Sequence, residues 1–137
     1  MIIDGKGSVL GRVATYAAKA ALEGDTVVVV NANDLVIIGD KNNILEKYRH
    51  RREIGTMAKG PFFPRDVNGL VRRAIRGMLK RKSPHGREAL RRVRVFEGVP
   101  EEYKNQEKLV VARMKTNMPV HNVKISELSN ILKYKSI

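Results

Sequence analysis

The chain has 137 residues and a formal net charge of +13, with 27 Lys and Arg against 14 Asp and Glu. This length predicts one domain over residues 1–137, and no stretch approaches the ~18 apolar residues of a membrane helix or has the layout of a signal peptide. The absence of Cys excludes disulfides and thiolate metal sites and fits a reducing cytoplasm.

The first part of the chain has the pattern of a strand, a helix and a second strand. Ile2 and Ile3 predict a short strand, and Ser8 is the expected N-cap of a helix that ends near Leu22. The continuous run Val27–Val30 is typical of a central strand buried on both faces. Together these elements predict a right-handed βαβ unit of a parallel sheet.

The rest of the chain alternates short predicted elements with loops. The stretch EIGTMAKGPFFP carries two Gly and two Pro and predicts a loop, SPHG interrupts a helical pattern, and EGVPEEYKNQEK predicts a polar, acidic connection. The remaining predicted elements are a strand at Leu35–Ile38, a basic helix at Asn42–Arg52, a helix from Asp66 to about Arg81, one or two helical turns at Gly86–Arg91, a strand at Val93–Phe96 and a closing helix at Ser126–Leu132.

The segment Gly5–Gly11 is similar to a dinucleotide-binding loop, because its glycines lie between a strand and a helix. Such a site also needs an acidic residue at the end of the second strand. Here that strand ends in Asn31, and Asp34 comes three residues later. A nucleotide site and a tight strand-to-helix turn both stay open, and the turn is favoured. Asp4, which has no partner carboxylate in the pattern, is expected to stabilise that turn.

Motifs for catalysis or metal binding are missing from the sequence. His50, His85 and His121 are far apart and do not have the spacing of metal ligands. The sequence contains no nucleophile elbow and no Walker-type phosphate loop. We therefore assign no catalytic, cofactor-binding or metal-binding residue.

The positive charge is concentrated in a basic region, which we define as residues 41–94. It holds 17 Lys and Arg against 4 Asp and Glu, whereas the flanking segments hold 10 of each. Arg binds phosphate bidentately and stacks on bases, so KYRHRR and RRAIRGMLKRKSPHGREALRRVR predict a nucleic-acid partner. A membrane surface is the weaker alternative, because it would need large apolar residues exposed opposite the charges.

RNA is a better candidate than DNA for this partner. The sequence has no helix-turn-helix, zinc-finger or basic-zipper signature, and a mixed α/β domain with irregular basic segments suits a folded RNA surface. DNA compaction stays open as an alternative. Phe62 and Phe63 either stack on bases or, as we favour, anchor their own loop. The candidate phosphate contacts are Arg49, Arg51, Arg52, Lys59, Arg65, Arg72, Arg73, Arg76, Lys80, Arg81, Lys82, Arg87, Arg91 and Arg92.

Several motifs in this order resemble a known family from end to end. They are IDGKGSVLGRVATYAAKAALEGD, VVVVNA, IIGDK, KGPFFPRD, RAIRGML, VRVFEGVP and SELSNILKYKSI. The chain resembles the universal large-subunit ribosomal protein family thirteen, in its archaeal form. One departure is Lys80, where many members have Pro, and it affects only the local helix end.

The resemblance implies an α/β fold with three α/β/α layers around a four-stranded parallel sheet of order 3-2-1-4, with basic helical and loop excursions. It implies a structural constituent of the large ribosomal subunit that binds and stabilises large-subunit rRNA early in assembly. It also implies a cytoplasmic protein without enzymatic activity, cofactor or membrane partner, present as a monomer beside neighbouring ribosomal proteins.

Overall fold

A parallel sheet forms around the valine run, as its sequence predicts. The computed structural model describes residues 1–54, 64–80, 82–108 and 121–134. Its strands are β1 (Ile2–Asp4), β2 (Val27–Val30), β3 (Val36–Ile38), β4 (Val93–Val95) and β5 (Asn122–Lys124). Its helices are α1 (Leu10–Leu22), α2 (Lys41–Glu53), α3 (Val67–Gly77), α4 (Pro84–Arg91), α5 (Glu101–Lys104) and α6 (Ile125–Tyr134), with one 3₁₀ turn at Ala32–Asp34.

Strand β2 lies in the centre of this sheet and pairs in parallel with two strands. Ile3 of β1 is opposite Val29, and Val93 of β4 is opposite Val27. All four residues of β2 are buried, because strands cover its edges and other elements cover its faces. The parallel β1–α1–β2 unit and the α/β class are therefore confirmed.

The predicted strand order 3-2-1-4 is not confirmed. The sheet has the order β1-β2-β4, and β3 instead pairs antiparallel with β5, where Val36 is opposite Lys124. A parallel neighbour needs a crossover of about a dozen residues or more. Only the short segment 31–35 separates β2 from β3, so β3 cannot lie parallel beside β2. The three-layer arrangement stays a prediction.

Helix α1 packs closely because its buried face is made of small residues. Val13, Ala14, Ala17 and Ala21 are completely buried, and α1 packs against α3 and α4. The three- and four-residue spacing of these side chains places them on one face of the helix. Gly24 ends the helix with a φ of +102°, where a side chain would be strained. The predicted end of α1 near Leu22 is confirmed.

The first residues of α1 differ from the prediction. Val9 occupies the N-cap position instead of Ser8, and it forms a bridge with Val36. The carbonyl of Ser8 accepts a hydrogen bond from the Val36 amide at 2.9 Å. The Ser8 carbonyl thus attaches the turn to β3, and the Ser8 hydroxyl donates to the Asp4 carbonyl at 3.5 Å instead of capping the helix.

Helices α3 and α4 also differ at their ends from the prediction. α3 ends at Gly77 rather than near Arg81, although Asp66 is its N-cap residue as expected. The SPHG stretch starts α4 instead of breaking a helix. Ser83 is the N-cap, its hydroxyl accepts a hydrogen bond from the Gly86 amide at 3.1 Å, and Pro84 follows at the first helical position.

Helix α6 closes the core over the short strands. Ile125 and Leu128 are completely buried and Leu132 nearly so, and α6 packs against α2, α3 and the 3₁₀ turn. Burying a Leu or Ile side chain contributes about 1.5–3 kcal/mol. The predicted closing helix is confirmed, although β5, which leads into it, is absent from the sequence prediction.

Candidate nucleic-acid interface

Helix α2 carries the first group of predicted RNA contacts. Arg51 is exposed and Arg49 is half-buried, both on a helix with Lys47 and His50 exposed. The guanidinium carbon of Arg51 lies 5.4 Å from the centre of the Tyr48 ring, a cation–π distance. The Tyr48 ring therefore orients the guanidinium group of Arg51, the exposed one of these two predicted contacts.

Tyr48 lies between this basic surface and the core. Its ring is half-buried and packs against the core cluster. Burial raises the pKa of the Tyr48 hydroxyl above its ordinary value, and the nearby Arg51 charge acts in the opposite direction. The hydroxyl is therefore neutral at physiological pH, and the Arg51 guanidinium lies beside a neutral phenol ring.

Helix α3 brings three predicted contacts to one groove. Its buried stripe is Val67, Leu70, Val71 and Ile75, and the opposite side carries the arginines. A groove of about 290 Å³ lies between α3 and α4. Its lining comprises Pro64, Gly69, Arg72, Arg73, Arg76 and Leu90. Three guanidinium groups line this one concave surface, an arrangement that suits a polyanion.

Gly69 forms part of the wall of this groove, at a position where a side chain does not fit. A Cβ at this position would lie 2.5 Å from the Pro64 Cβ and 2.7 Å from a carboxylate oxygen of Asp66. The segment before α3 therefore lies directly against the first turn of that helix. This close approach fixes the entrance of the groove.

Two of the predicted arginines bind the protein's own backbone. Arg72 donates from Nη1 to the Val93 carbonyl at 2.7 Å and from Nη2 to the Leu90 carbonyl at 3.3 Å. Arg92 donates from Nη1 to the Ala21 carbonyl at 2.8 Å. The Leu90 and Ala21 carbonyls lie in the last turns of α4 and α1, and the Val93 carbonyl belongs to β4, so these bonds join α3 to α4 and β4 and the end of α4 to α1. Both residues therefore have a structural role.

Helix α4 and its flanks carry further predicted contacts. Lys80, Lys82 and Arg87 are exposed. Arg91 is exposed as well, and its Nη1 lies 3.0 Å from a carboxylate oxygen of Glu88. Such exposed pairs contribute little energy, so Arg91 can exchange Glu88 for a phosphate at small cost.

Of the remaining predicted contacts, one lies ahead of α3 and the others are not described by the structure. Arg65 is exposed ahead of α3, and its carbonyl accepts a hydrogen bond from the Ser129 hydroxyl at 2.6 Å. Lys59 and Arg81 lie outside the described residues, as do Phe62 and Phe63, and the side chain of Arg52 is likewise not described. Arg94 is an exposed cation of β4 that the candidate set omits.

The glycine loop is occupied by the chain itself. A Cβ on Gly5 would lie 3.1 Å from the carbonyl oxygens of Val30 and Asn31 and equally close to Cγ of Leu35. Gly7 has a φ of +70°, which a glycine adopts without strain. The glycines thus serve a tight turn from β1 into α1, which is the interpretation the sequence favours.

Asp4 stabilises this turn, as expected. Its Oδ1 accepts hydrogen bonds from the Lys6 amide and from the side-chain amide of Asn31, both at 3.0 Å. Asn31 has a left-handed φ of 55°, and its backbone amide donates to the Gly98 carbonyl at 3.0 Å. The carboxyl ends of the parallel strands, where α/β folds bind ligands, are therefore joined here by internal hydrogen bonds.

Metal-binding clusters and membrane helices were sought in the same part of the chain. Among the described residues, no group of three or more His, Asp and Glu side chains is arranged to hold a metal ion. Across those same ranges, no helix has both the length and the apolar character needed to cross a membrane.

Comparisons with known proteins point to one family. A family model described as Ribosomal protein L13 matches residues 1–102. The chain is similar to "Large ribosomal subunit protein uL13" of Archaeoglobus fulgidus, with 47% identity over 106 residues, which cover 77% of this chain and 68% of the relative. The protein of the same name from Thermoplasma volcanium is 37% identical over 131 residues, 96% of each chain. That of Methanosarcina barkeri is 42% identical, covering 81% of this chain and 80% of its own.

Proposed function

Because the chain belongs to the ribosomal protein L13 family, we propose that it binds and stabilises large-subunit rRNA as a structural constituent of the large ribosomal subunit. The family consists of ribosomal proteins and is not known to be enzymatic. The proposal includes a single domain over residues 1–137, with the basic region facing RNA, in the cytoplasm and beside neighbouring ribosomal proteins.

The observation that carries this proposal is the arginine-lined groove between α3 and α4. Arg73 and Arg76 are half-buried on its wall, so the fold fixes their positions before any partner binds. Arg72 holds the same wall through its bonds to the carbonyls of Val93 and Leu90. Preordered cations lose little side-chain entropy when they contact phosphate, which favours binding to a defined RNA shape.

The mechanism is electrostatic. Each Lys or Arg that neutralises a phosphate releases condensed counterions, so affinity falls as the salt concentration rises. If about 6–10 of the candidate cations contact phosphate, binding should weaken by about 10³–10⁵ between roughly 50 and 200 mM salt. The RNA fold is stabilised because the cations reduce repulsion between strands that lie close together.

Sedimentation of the protein with ribosomal particles from a lysate, in sucrose gradients at moderate and at high salt, tests the assignment. We expect migration with the large subunit at moderate salt and release at high salt. A role early in assembly requires more: the purified protein must bind deproteinised large-subunit rRNA without other proteins. Failure to migrate with the subunit, or an affinity that does not respond to salt, would contradict the proposal.

A further inference from the structure

Helix α1 presents a second basic surface, outside the basic region. A groove of about 650 Å³ runs along it, and its described lining residues are Arg12, Thr15, Tyr16 and Lys19. These positions are spaced by three and four residues, so they share one face of the helix. That face is opposite the alanine face that packs into the core.

We propose that this α1 face is a second RNA-binding surface, with Arg12 and Lys19 contacting phosphates on either side of Tyr16. The inference rests on the proposed function, because it extends the RNA contact beyond residues 41–94. Among the described lining residues the charged ones are Arg12 and Lys19, and two exposed cations on one helix face attract a polyanion.

The spacing of the two cations suits a single RNA strand. Arg12 and Lys19 are seven residues apart, about 10.5 Å along the helix axis, so they reach different phosphates rather than the same one. Both residues are exposed. Tyr16 between them is half-buried and packed against the core, so its ring has a fixed position. A fixed aromatic ring between two cations is a surface on which a base or ribose can stack.

This surface adjoins the end of α3. The Thr15 hydroxyl lies 3.4 Å from the sulfur of Met78, which is 46% exposed directly after α3. Exposed Lys80 follows two residues later. The α1 face therefore continues into the basic region, and one RNA segment can contact both.

The test uses the full chain and deproteinised archaeal large-subunit rRNA. The double variant Arg12→Ala/Lys19→Ala is compared with Lys104→Ala/Lys133→Ala, which removes the same charge from exposed positions on other helices. The dissociation constant is measured over a series of salt concentrations. Urea unfolding curves establish that both variants fold.

The loss of two phosphate contacts should reduce the salt slope by about 1.4–1.8. Relative to 1 M salt, that change corresponds to a loss of about 25- to 60-fold in affinity at 0.1 M. The control variant should keep the wild-type slope. An equal slope in the α1 variant and the control would overturn the inference, whereas a wild-type protein without salt-dependent binding would refute the proposed function itself.

The contribution of the ring is separable by the same measurement. Tyr16→Leu keeps an apolar side chain against the core and removes the stacking surface. We expect weaker binding, by about five- to hundredfold, with the salt slope unchanged, because stacking releases no counterions. Wild-type affinity in this variant would overturn the role of Tyr16 as a stacking surface.

Discussion

Helices α2 and α3 both present basic side chains, but they are attached to the fold differently. α3 buries Val67, Leu70, Val71 and Ile75 in a continuous stripe. Among the side chains of α2 that the structure describes, only Ile44 is buried, and Leu45 and Tyr48 are half-buried beside it. In chemical terms α3 is an amphipathic helix of the core, whereas α2 is polar around most of its circumference.

This difference teaches that equal charge does not imply equal preorganisation. The arginines of α3 stand on a helix whose position is set by the core, so their geometry exists before RNA binds. α2 depends on Ile44 and on an ion pair at the surface, where Lys41 Nζ lies 2.5 Å from a carboxylate oxygen of Glu127 on α6. We therefore expect changes in α3 to alter stability and changes in α2 to alter mainly binding.

The largest expected effect comes from removing a buried side chain in each helix. Ile75→Ala should reduce the free energy of unfolding by about 2–5 kcal/mol, because Ile75 is completely buried and leaves a cavity. Ile44→Ala should reduce the free energy of unfolding by at least about 1 kcal/mol less than Ile75→Ala does, because the surroundings of Ile44 on α2 can collapse into the space more easily. Urea unfolding measures both values. Equal losses would show that α2 is as firmly attached as α3.

A medium effect is expected from exchanging arginine for lysine. Arg72→Lys keeps the charge but cannot bond both the Leu90 and the Val93 carbonyl through a planar fork, so stability should fall by about 1 kcal/mol. The matched variant Arg49→Lys on α2 should change stability by less than about 0.5 kcal/mol. Thermal unfolding of the two variants provides the comparison.

RNA binding serves as the control for this pair. Both variants keep the full number of positive charges, so their salt slopes should equal that of the wild type. A stable Arg72→Lys protein would mean that the carbonyl bonds of Arg72 are dispensable for the fold.

The smallest effect concerns the surface attachment of α2. Glu127→Gln removes the ion pair with Lys41 and should reduce stability by about 0.2–1 kcal/mol at low salt and by less at high salt. Because local unfolding determines amide exchange, hydrogen exchange in α2 should become faster.

Glu88→Gln is the matched control, since it breaks the exposed pair with Arg91 within α4. It should leave exchange in α2 unchanged. If exchange in α2 also becomes faster after Glu88→Gln, the cause is a general loss of stability instead of a specific release of this helix.

The sequence predicted those elements whose pattern is local. The buried valines of β2 and the small apolar face of α1 follow from composition and periodicity alone. β5 was missed because it has three residues and depends on a partner far away in the chain. Ser83 and Pro84 were interpreted as an interruption of a helix, because Pro ends helices. Both residue types are also typical of a helix start, and here they begin α4.

The candidate site was predictable as a region but not as a set of roles. Charge density identifies residues 41–94, and the structure brings Arg72, Arg73 and Arg76 together on one groove. Charge density cannot distinguish an arginine that contacts RNA from one that bonds a carbonyl, as Arg72 and Arg92 do. That distinction depends on which helix ends lie nearby, which only the packing of the chain determines.

The pairing of β3 with β5 has a consequence for how the chain folds during synthesis. Val36 of β3 pairs with Lys124 of β5, so β3 is synthesised early but cannot form this pairing until β5 has been synthesised. The loop that joins such distant partners carries an entropic cost that slows closure. Until Leu128 and Leu132 emerge, the apolar surface that α6 covers stays open to water. We expect the nascent chain to form the parallel sheet first and to need protection from aggregation until this last helix docks.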